Sequence, residues 1–466
     1  MKKVIYLFTY LFAVITVFSF IVSAQVHSDA ALRRIVELDR SSRDAGGKLP
    51  TLTAAEHALR ADVYSTNRQF TEAREHWQKI LDVYPTDAVM PKTLFGIARS
   101  YMWEREYDKA VFWFDRLTKD YINTKDGREG LAFKGASYVR MNKHHEAART
   151  YEQYITMFPT GERVETSFLN LIESLRETKK YDEANRWVEK VRQRFAGMAI
   201  ETNALHARLR MELHRQNYTE AVKAADVLLN RRNFANSMAS IDEVKFLKGL
   251  ALEKSNRKAE AVAVYSSIPD SLSSYYSGLA TEKLEKLNGN AGEIRRTASV
   301  STNMTRDYPV MYRTELLRSA KSRGIDPRFV LAIMKQESSF RAGAKSPAAA
   351  RGLLQLVYDT AVKYNQKAGY NNFQADDLYQ PAVNIAIGSV YIAELKNQFG
   401  GMYEAIAASY NGGEDNAARW LERSRPRESG VFASEVGFAE SKNYVFKVMN
   451  NYRVYRELYT EDLVRR

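Results

Sequence analysis

The chain has 466 residues, 45% of them apolar and 27% charged, with no cysteine and a formal net charge of +13. That length and apolar content imply a globular protein of two or three domains with well-buried cores, and exclude a disordered chain. The absence of cysteine excludes disulfides, thiolate catalysis and cysteine-based zinc sites together, so stability rests on packing.

The N-terminus reads as an export signal: Lys2 and Lys3, an apolar run from Val4 to Val22, then the small residues Ser23 and Ala24. Cleavage after Ala24 is the expectation for residues 1–24. The run is also about as long as a membrane span of ~20 residues, so an uncleaved N-terminal anchor is the alternative. Either places the chain in the periplasm or cell envelope. Losing the two lysines takes the charge from +13 to +11, and the remaining excess is spread over the whole chain. No nucleic-acid partner is expected; acidic envelope polymers are the more natural one.

Residues 25–300 carry an internal repeat. "FTEA", "YDKA", "HHEA", "YDEA" and "YTEA" end at Ala73, Ala110, Ala147, Ala184 and Ala221, a constant spacing of 37, and "KAEA" follows at Ala261. In the first four copies a large side chain (Trp77, Phe114, Tyr151, Val188) stands four residues after the alanine. That spacing puts both on one helix face, where the small residue admits a neighbouring helix and the large one fills the gap. Tyr84-Pro85 and Phe158-Pro159 mark helix ends. The pattern resembles tetratricopeptide-type repeats, and the implied fold is a stack of helix pairs forming a superhelix. The aromatic stripe is read as core, not as a ligand shelf. Repeat character fades after about residue 270, and the Ser/Thr-rich "RTASVSTNMTRDYP" near residue 300 reads as a linker.

The last domain spans residues 308–458. "GIDPRFVLAIMKQESSF" opens with Asp326 as N-cap and Pro327 at the first helical position. Phe329, Val330, Ile333 and Met334 form an apolar face, and Glu337 falls on it, three and four residues after the last two. Burial and the negative helix C-terminus raise a carboxyl pKa there, as a general acid requires. "RGLLQL" follows, with Gln355 as its polar group, able to bond an amide or sugar hydroxyl or to be satisfied by backbone. "PAVNIAIGSVYIAEL", with Asn384 and Tyr391, reads as core architecture. "ASYNGG" ends a helix so that Tyr410 and Asn411 project at its terminus. "SEVGFAESKNYV" carries Glu435, Glu440 and Tyr444.

In order, E-S-S-F, G-L-L-Q-L, S-Y-N-G-G and E-x-x-F-x-E-x-x-x-Y-V resemble the catalytic domain of the soluble lytic transglycosylases, lysozyme-like enzymes of peptidoglycan. The resemblance implies an all-α protein, a helical-repeat superhelix followed by a lysozyme-like α-helical catalytic domain. It implies Glu337 as the single catalytic acid/base, with Ser338, Ser339 and Phe340 matching the residues after it. Gln355 would line the cleft, Tyr410 and Asn411 would stand beside the N-acetyl group, and Glu435, Glu440 and Tyr444 would close the wall. The substrate implied is the peptidoglycan glycan strand, cut without water to leave a 1,6-anhydromuramic end. The repeats would hold that strand, recruit cell-wall synthesis or division proteins, or restrict access to chain ends, and the sequence does not distinguish these. The chain departs from the family pattern at Leu354, Tyr358, Ser409, Gly412, Ser441 and Lys442. A goose-type hydrolytic lysozyme and an inactive glycan-binding scaffold are the alternatives. No cofactor or metal is expected, because no histidines stand at ligand spacing with acids.

Overall fold

The computed structural model describes residues 29–231, 233–288 and 304–466. The expected export signal, and the linker from 296 to 303, lie outside the described residues. The described residues are all-helical, and their extended pairings are the isolated bridges Arg351 to Leu356 and Tyr459 to Arg465. Among them no helix is long and apolar enough to cross a membrane. Packing gives two compact units, one of residues up to 164 with 345–350, the other of 165–344 with 351–466. The later repeats therefore share a unit with the last domain.

The first unit contains the helical hairpins Ala54–Thr66 with Phe70–Val83, Met90–Trp103 with Tyr107–Tyr121, and Lys125–Arg140 with His144–Met157. In the second, Tyr181–Arg194 completes the hairpin begun by Val164–Glu177. Ala199–His214 with Tyr218–Arg231, Ile241–Lys254 with Lys258–Ser266, and the single helix Tyr275–Asn288 follow. Ala73, Ala110, Ala147, Ala184, Ala221 and Ala261 are all fully buried. The large residues after them are core: a Cβ on Gly96 would meet the Trp77 ring at 2.5 Å, and one on Gly135 the Tyr151 ring at 2.8 Å. The proline pairs act as expected, the helices before them ending at Val83 and Met157.

The repeat is also one of backbone conformation, with 37 residues between successive turns over the first five and 40 to the sixth. Arg68, Arg105, Asn142, Lys179, Gln216 and Asn256, one in each hairpin turn, all have φ between 59° and 66°. The next residue's N–H then donates to the carbonyl five residues back, for example Lys143 to Tyr138 and Lys180 to Leu175, each at 2.9 Å. This is the Schellman closure, which satisfies helix-end carbonyls and reverses the chain. A side chain in this left-handed region costs about 1 to 2 kcal/mol, and glycine avoids that cost at the expense of a more flexible unfolded chain. Lys179→Gly is therefore expected to stabilise by up to about 1 kcal/mol, read as a higher urea midpoint.

Candidate active site

Asp326 caps the helix Pro327–Ser338, its Oδ1 accepting from the Arg328 N–H at 2.9 Å, with proline in the first turn. Phe329, Val330, Ile333 and Met334 are fully buried. Glu337 extends this face at the far end of the helix and is half-buried. Burial pushes its carboxyl up to about 7; the Tyr444 hydroxyl, donating to Oε1 at 2.7 Å, pulls it down, and the Glu440 carboxylate adds to the rise. Desolvation outweighs both neighbours. Such a group exchanges a proton in either direction near neutral pH, which is what one residue serving as acid and then base requires.

The residues after the acid end the helix. Ser338 is buried, and its hydroxyl donates to the Leu353 carbonyl at 2.8 Å and the Met334 carbonyl at 3.2 Å. Ser339 and Phe340 have φ of 49° and 65°, and Ser339 is exposed. Ser338 thus ties the acid's helix to the Arg351–Leu356 turn.

That turn is pinned from several sides. Arg351 and Leu356 exchange backbone hydrogen bonds at 2.9 and 3.0 Å. Buried Asn384 donates to the Arg351 and Leu378 carbonyls at 3.0 and 2.8 Å and accepts from the Leu354 N–H at 2.8 Å. Gly352, at φ 78°, has no room for a Cβ, which would lie 2.1 Å from the Leu378 carbonyl oxygen. Gly388 leaves space for Leu354, whose Cδ1 would be 2.3 Å from an added Cβ. Gln355, at φ 46°, donates its amide hydrogens to the Ala344 and Gly352 carbonyls at 3.0 and 2.9 Å. In this geometry it cannot also donate to a sugar; the backbone has the amide.

Tyr410, at the end of the helix Tyr403–Gly412, donates to the Leu354 carbonyl at 2.7 Å. Its ring lies 5.4 Å from that of Tyr391, which stacks at 5.3 Å on Tyr364. Burial, reinforced by the Glu337 charge, keeps the Tyr410 and Tyr444 phenols well above their ordinary pKa. They are neutral donors at any working pH. Asn411 is exposed and accepts from the Ser441 hydroxyl at 2.6 Å, and Glu440 is exposed. Tyr391 is core, as read from the sequence, and its ring packs against Tyr410.

The structure does not bring Glu435 into this group. It is fully buried, and Arg176 binds both its oxygens at 2.8 Å while Arg210 donates to Oε2 at 2.7 Å. Burial alone would raise its pKa, but the two guanidiniums hold it below the usual carboxylate range. The expected place on the wall is corrected to an ion-pair anchor between its segment and the helices Val164–Glu177 and Ala199–His214. Lys442 is likewise buried, its Nζ 2.6 Å from Glu243 Oε1. Arg176, Arg210 and Glu243 escaped the sequence reading. Their only local signal is charge at core-facing positions of repeat helices.

Residues 316–431 match the family model described as the transglycosylase SLT domain. The soluble lytic murein transglycosylase of Escherichia coli K12 is 32% identical over 153 residues, 32% of this chain and 23% of that protein. Its Salmonella typhimurium counterpart is 30% identical over 151 residues, again covering 23% of the relative. The membrane-bound lytic murein transglycosylase C of Sodalis glossinidius is 30% identical over 160 residues, 45% of its length. The chain thus spans under a quarter of the first two and under half of the third. Among solved structures, an inactive mutant of lytic transglycosylase Slt from Pseudomonas aeruginosa aligns at TM-score 0.50 and 17% identity, over 85% of this chain and 78% of that one. The 70-kDa soluble lytic transglycosylase in complex with bulgecin A aligns at 0.50 and 18%, over 97% and 90%. At such identities the likeness is one of fold: all-helical, helical repeats followed by a lysozyme-like domain.

Proposed function

We propose, from the premise that this chain carries a transglycosylase SLT domain, that it is a peptidoglycan lytic transglycosylase acting in the cell envelope. Glu337 protonates the oxygen between N-acetylmuramic acid and N-acetylglucosamine. The 2-acetamido oxygen supports the positive charge that develops as the bond breaks. Glu337 then takes the proton from the muramic C6 hydroxyl, which closes the 1,6-anhydro ring without water. The Tyr444 hydroxyl holds Glu337 Oε1 through both steps, and Tyr410 fixes the turn beside it. The observation that carries this reading is a single carboxyl poised at about 7 against a neutral phenol.

A glycosidase of the two-carboxylate kind needs a second acid ~5 to 9.5 Å from the first. Glu435 is committed to two arginines. The carboxylate that acts on Glu337 electrostatically is exposed Glu440.

The test is mass spectrometry of muropeptides released from purified sacculi by the mature protein, with and without EDTA. Products ending in 1,6-anhydromuramic acid, lighter than hydrolysis products by one water, are expected in both and absent for Glu337→Gln. Loss of activity with the chelator would count against the reading. Reducing ends would make the protein a hydrolase, and no products a glycan-binding module.

A further inference from the structure

The helix Ala439–Leu458 presents two different faces to two different partners. At 100° per residue, Lys442, Phe446, Asn450 and Arg453 fall within one sector, and Tyr444, Val448, Tyr452 and Tyr455 within the opposite one. The first sector faces the last repeat helices and the loop between them. Lys442 pairs with Glu243, and Phe446 stacks on Tyr275 at 5.3 Å and 18°. Asn450 donates to the Ser273 carbonyl at 2.8 Å, and Arg453 to that of Ser271 at 3.2 Å. The second sector faces the acid's helix and touches both its ends. The Tyr444 hydroxyl is on Glu337, and the Tyr452 hydroxyl is 2.8 Å from Oδ2 of the capping Asp326.

Rigid geometry makes this a lever. A tyrosine hydroxyl stands about 9 Å from its helix axis, so a 10° roll of the helix displaces it by about 1.5 Å. That exceeds the range over which an O–H···O bond holds, roughly 2.5 to 3.0 Å. Whatever fixes the roll of Ala439–Leu458 therefore fixes the Tyr444 to Glu337 contact. The group best placed to do so is the Glu243–Lys442 pair, because it is buried, charged on both sides and two residues from Tyr444. His206 Nε2 lies 2.9 Å from the same Glu243 oxygen.

We propose that Glu243, on a repeat helix, is a positioning residue for the catalytic site: by holding Lys442 it sets the roll of the last helix and so the hydrogen bond of Tyr444 to Glu337. The proposal rests on the reading of Glu337 as the acid. It makes the later repeats part of the active-site apparatus and not merely a scaffold attached to it.

The experiment uses the full chain and the variants Glu243→Gln, Phe446→Leu and Tyr444→Phe. Two readouts follow the Glu337 proton: the upper limb of the pH profile of kcat/KM, and the pH at which the stability difference between each protein and the same protein carrying Glu337→Gln levels off, which marks the folded-state pKa. The second needs no activity. Losing a hydrogen bond that stabilises the ionised carboxylate raises its pKa by roughly half a unit or more. Glu243→Gln is expected to move both readouts upward by about that much, because the bond it loosens favours the ionised carboxylate. Tyr444→Phe should do the same, and Glu243→Gln in the Tyr444→Phe background should add nothing further. Phe446→Leu removes no charge, keeps the question answerable if Glu243→Gln does not fold, and is expected to move the readouts in the same direction. A lower melting temperature with the Glu337 titration unmoved in both repeat-face variants would overturn the proposal. So would a shift that adds in full to that of Tyr444→Phe. If the titration shifts but the wild-type protein releases no anhydro products, positioning stands and the transglycosylase reading fails.

Discussion

Glu337→Gln is expected to lower turnover by a factor on the order of 10³ or more and, at the same time, to make the protein more stable above pH 7. The two effects share one cause. In the fold the carboxyl titrates at about 7, against 4.5 for an ordinary glutamate. Below pH 4.5 the group is protonated whether the chain is folded or not, and contributes no pH dependence. As pH rises from 4.5 to 7 the unfolded chain releases the proton while the fold retains it, so stability declines through that window. Above 7 the deficit is complete, about 3 kcal/mol at 1.36 kcal/mol per pKa unit. Glutamine cannot ionise and avoids it. Thermal or urea unfolding of the two proteins should coincide near pH 4 and diverge by pH 8, with the variant the more stable. Equal stability at both pH values would make Glu337 an ordinary surface acid and remove the basis of the mechanism.

This residue was legible in the sequence because everything that defines it is local. Asp326 and Pro327 start the helix, and the apolar positions fix which face Glu337 extends; burial raises its pKa as expected, and the structure adds the Glu440 carboxylate, which raises it further, and the Tyr444 hydroxyl, which opposes the rise. The repeats were legible for a similar reason, since a helix pair that packs on its own copy writes its period into the chain. What the sequence could not supply were pairings across long separations. Arg176 and Arg210 meet Glu435 from 259 and 225 residues away, and Glu243 meets Lys442 from 199. Several departures from the family pattern gain a physical account in the same way. Leu354 fits over Gly388, Ser441 donates to Asn411, and Lys442 has its own carboxylate. Gln355 was ambiguous by nature, because a glutamine in a tight turn can always take backbone partners, and here it does.

Glu435→Ala carries the other large expected effect, a loss of about 3 to 5 kcal/mol, because removing one member of a buried ion cluster leaves the others uncompensated. The cluster balances as it stands. Glu173, Glu177 and Glu435 face Arg176, Arg210 and Arg423, with Arg423 bonded to Glu177 and 3.4 Å from Glu173. Deleting Glu435 leaves two buried guanidiniums to share Glu173. The pH dependence has the opposite sign to that of Glu337. With its pKa held below the ordinary value, Glu435 contributes stability above about pH 4.5 that is lost as pH falls through its folded-state pKa. Urea unfolding at pH 7 checks the magnitude, and turnover per folded molecule, measured cold where the variant stays folded, checks the role. Destabilisation with kcat within a few-fold of wild type assigns Glu435 to the ion-pair anchor. Unchanged stability with turnover lost would instead identify it as a second catalytic carboxylate, and with it a hydrolase of the two-acid kind.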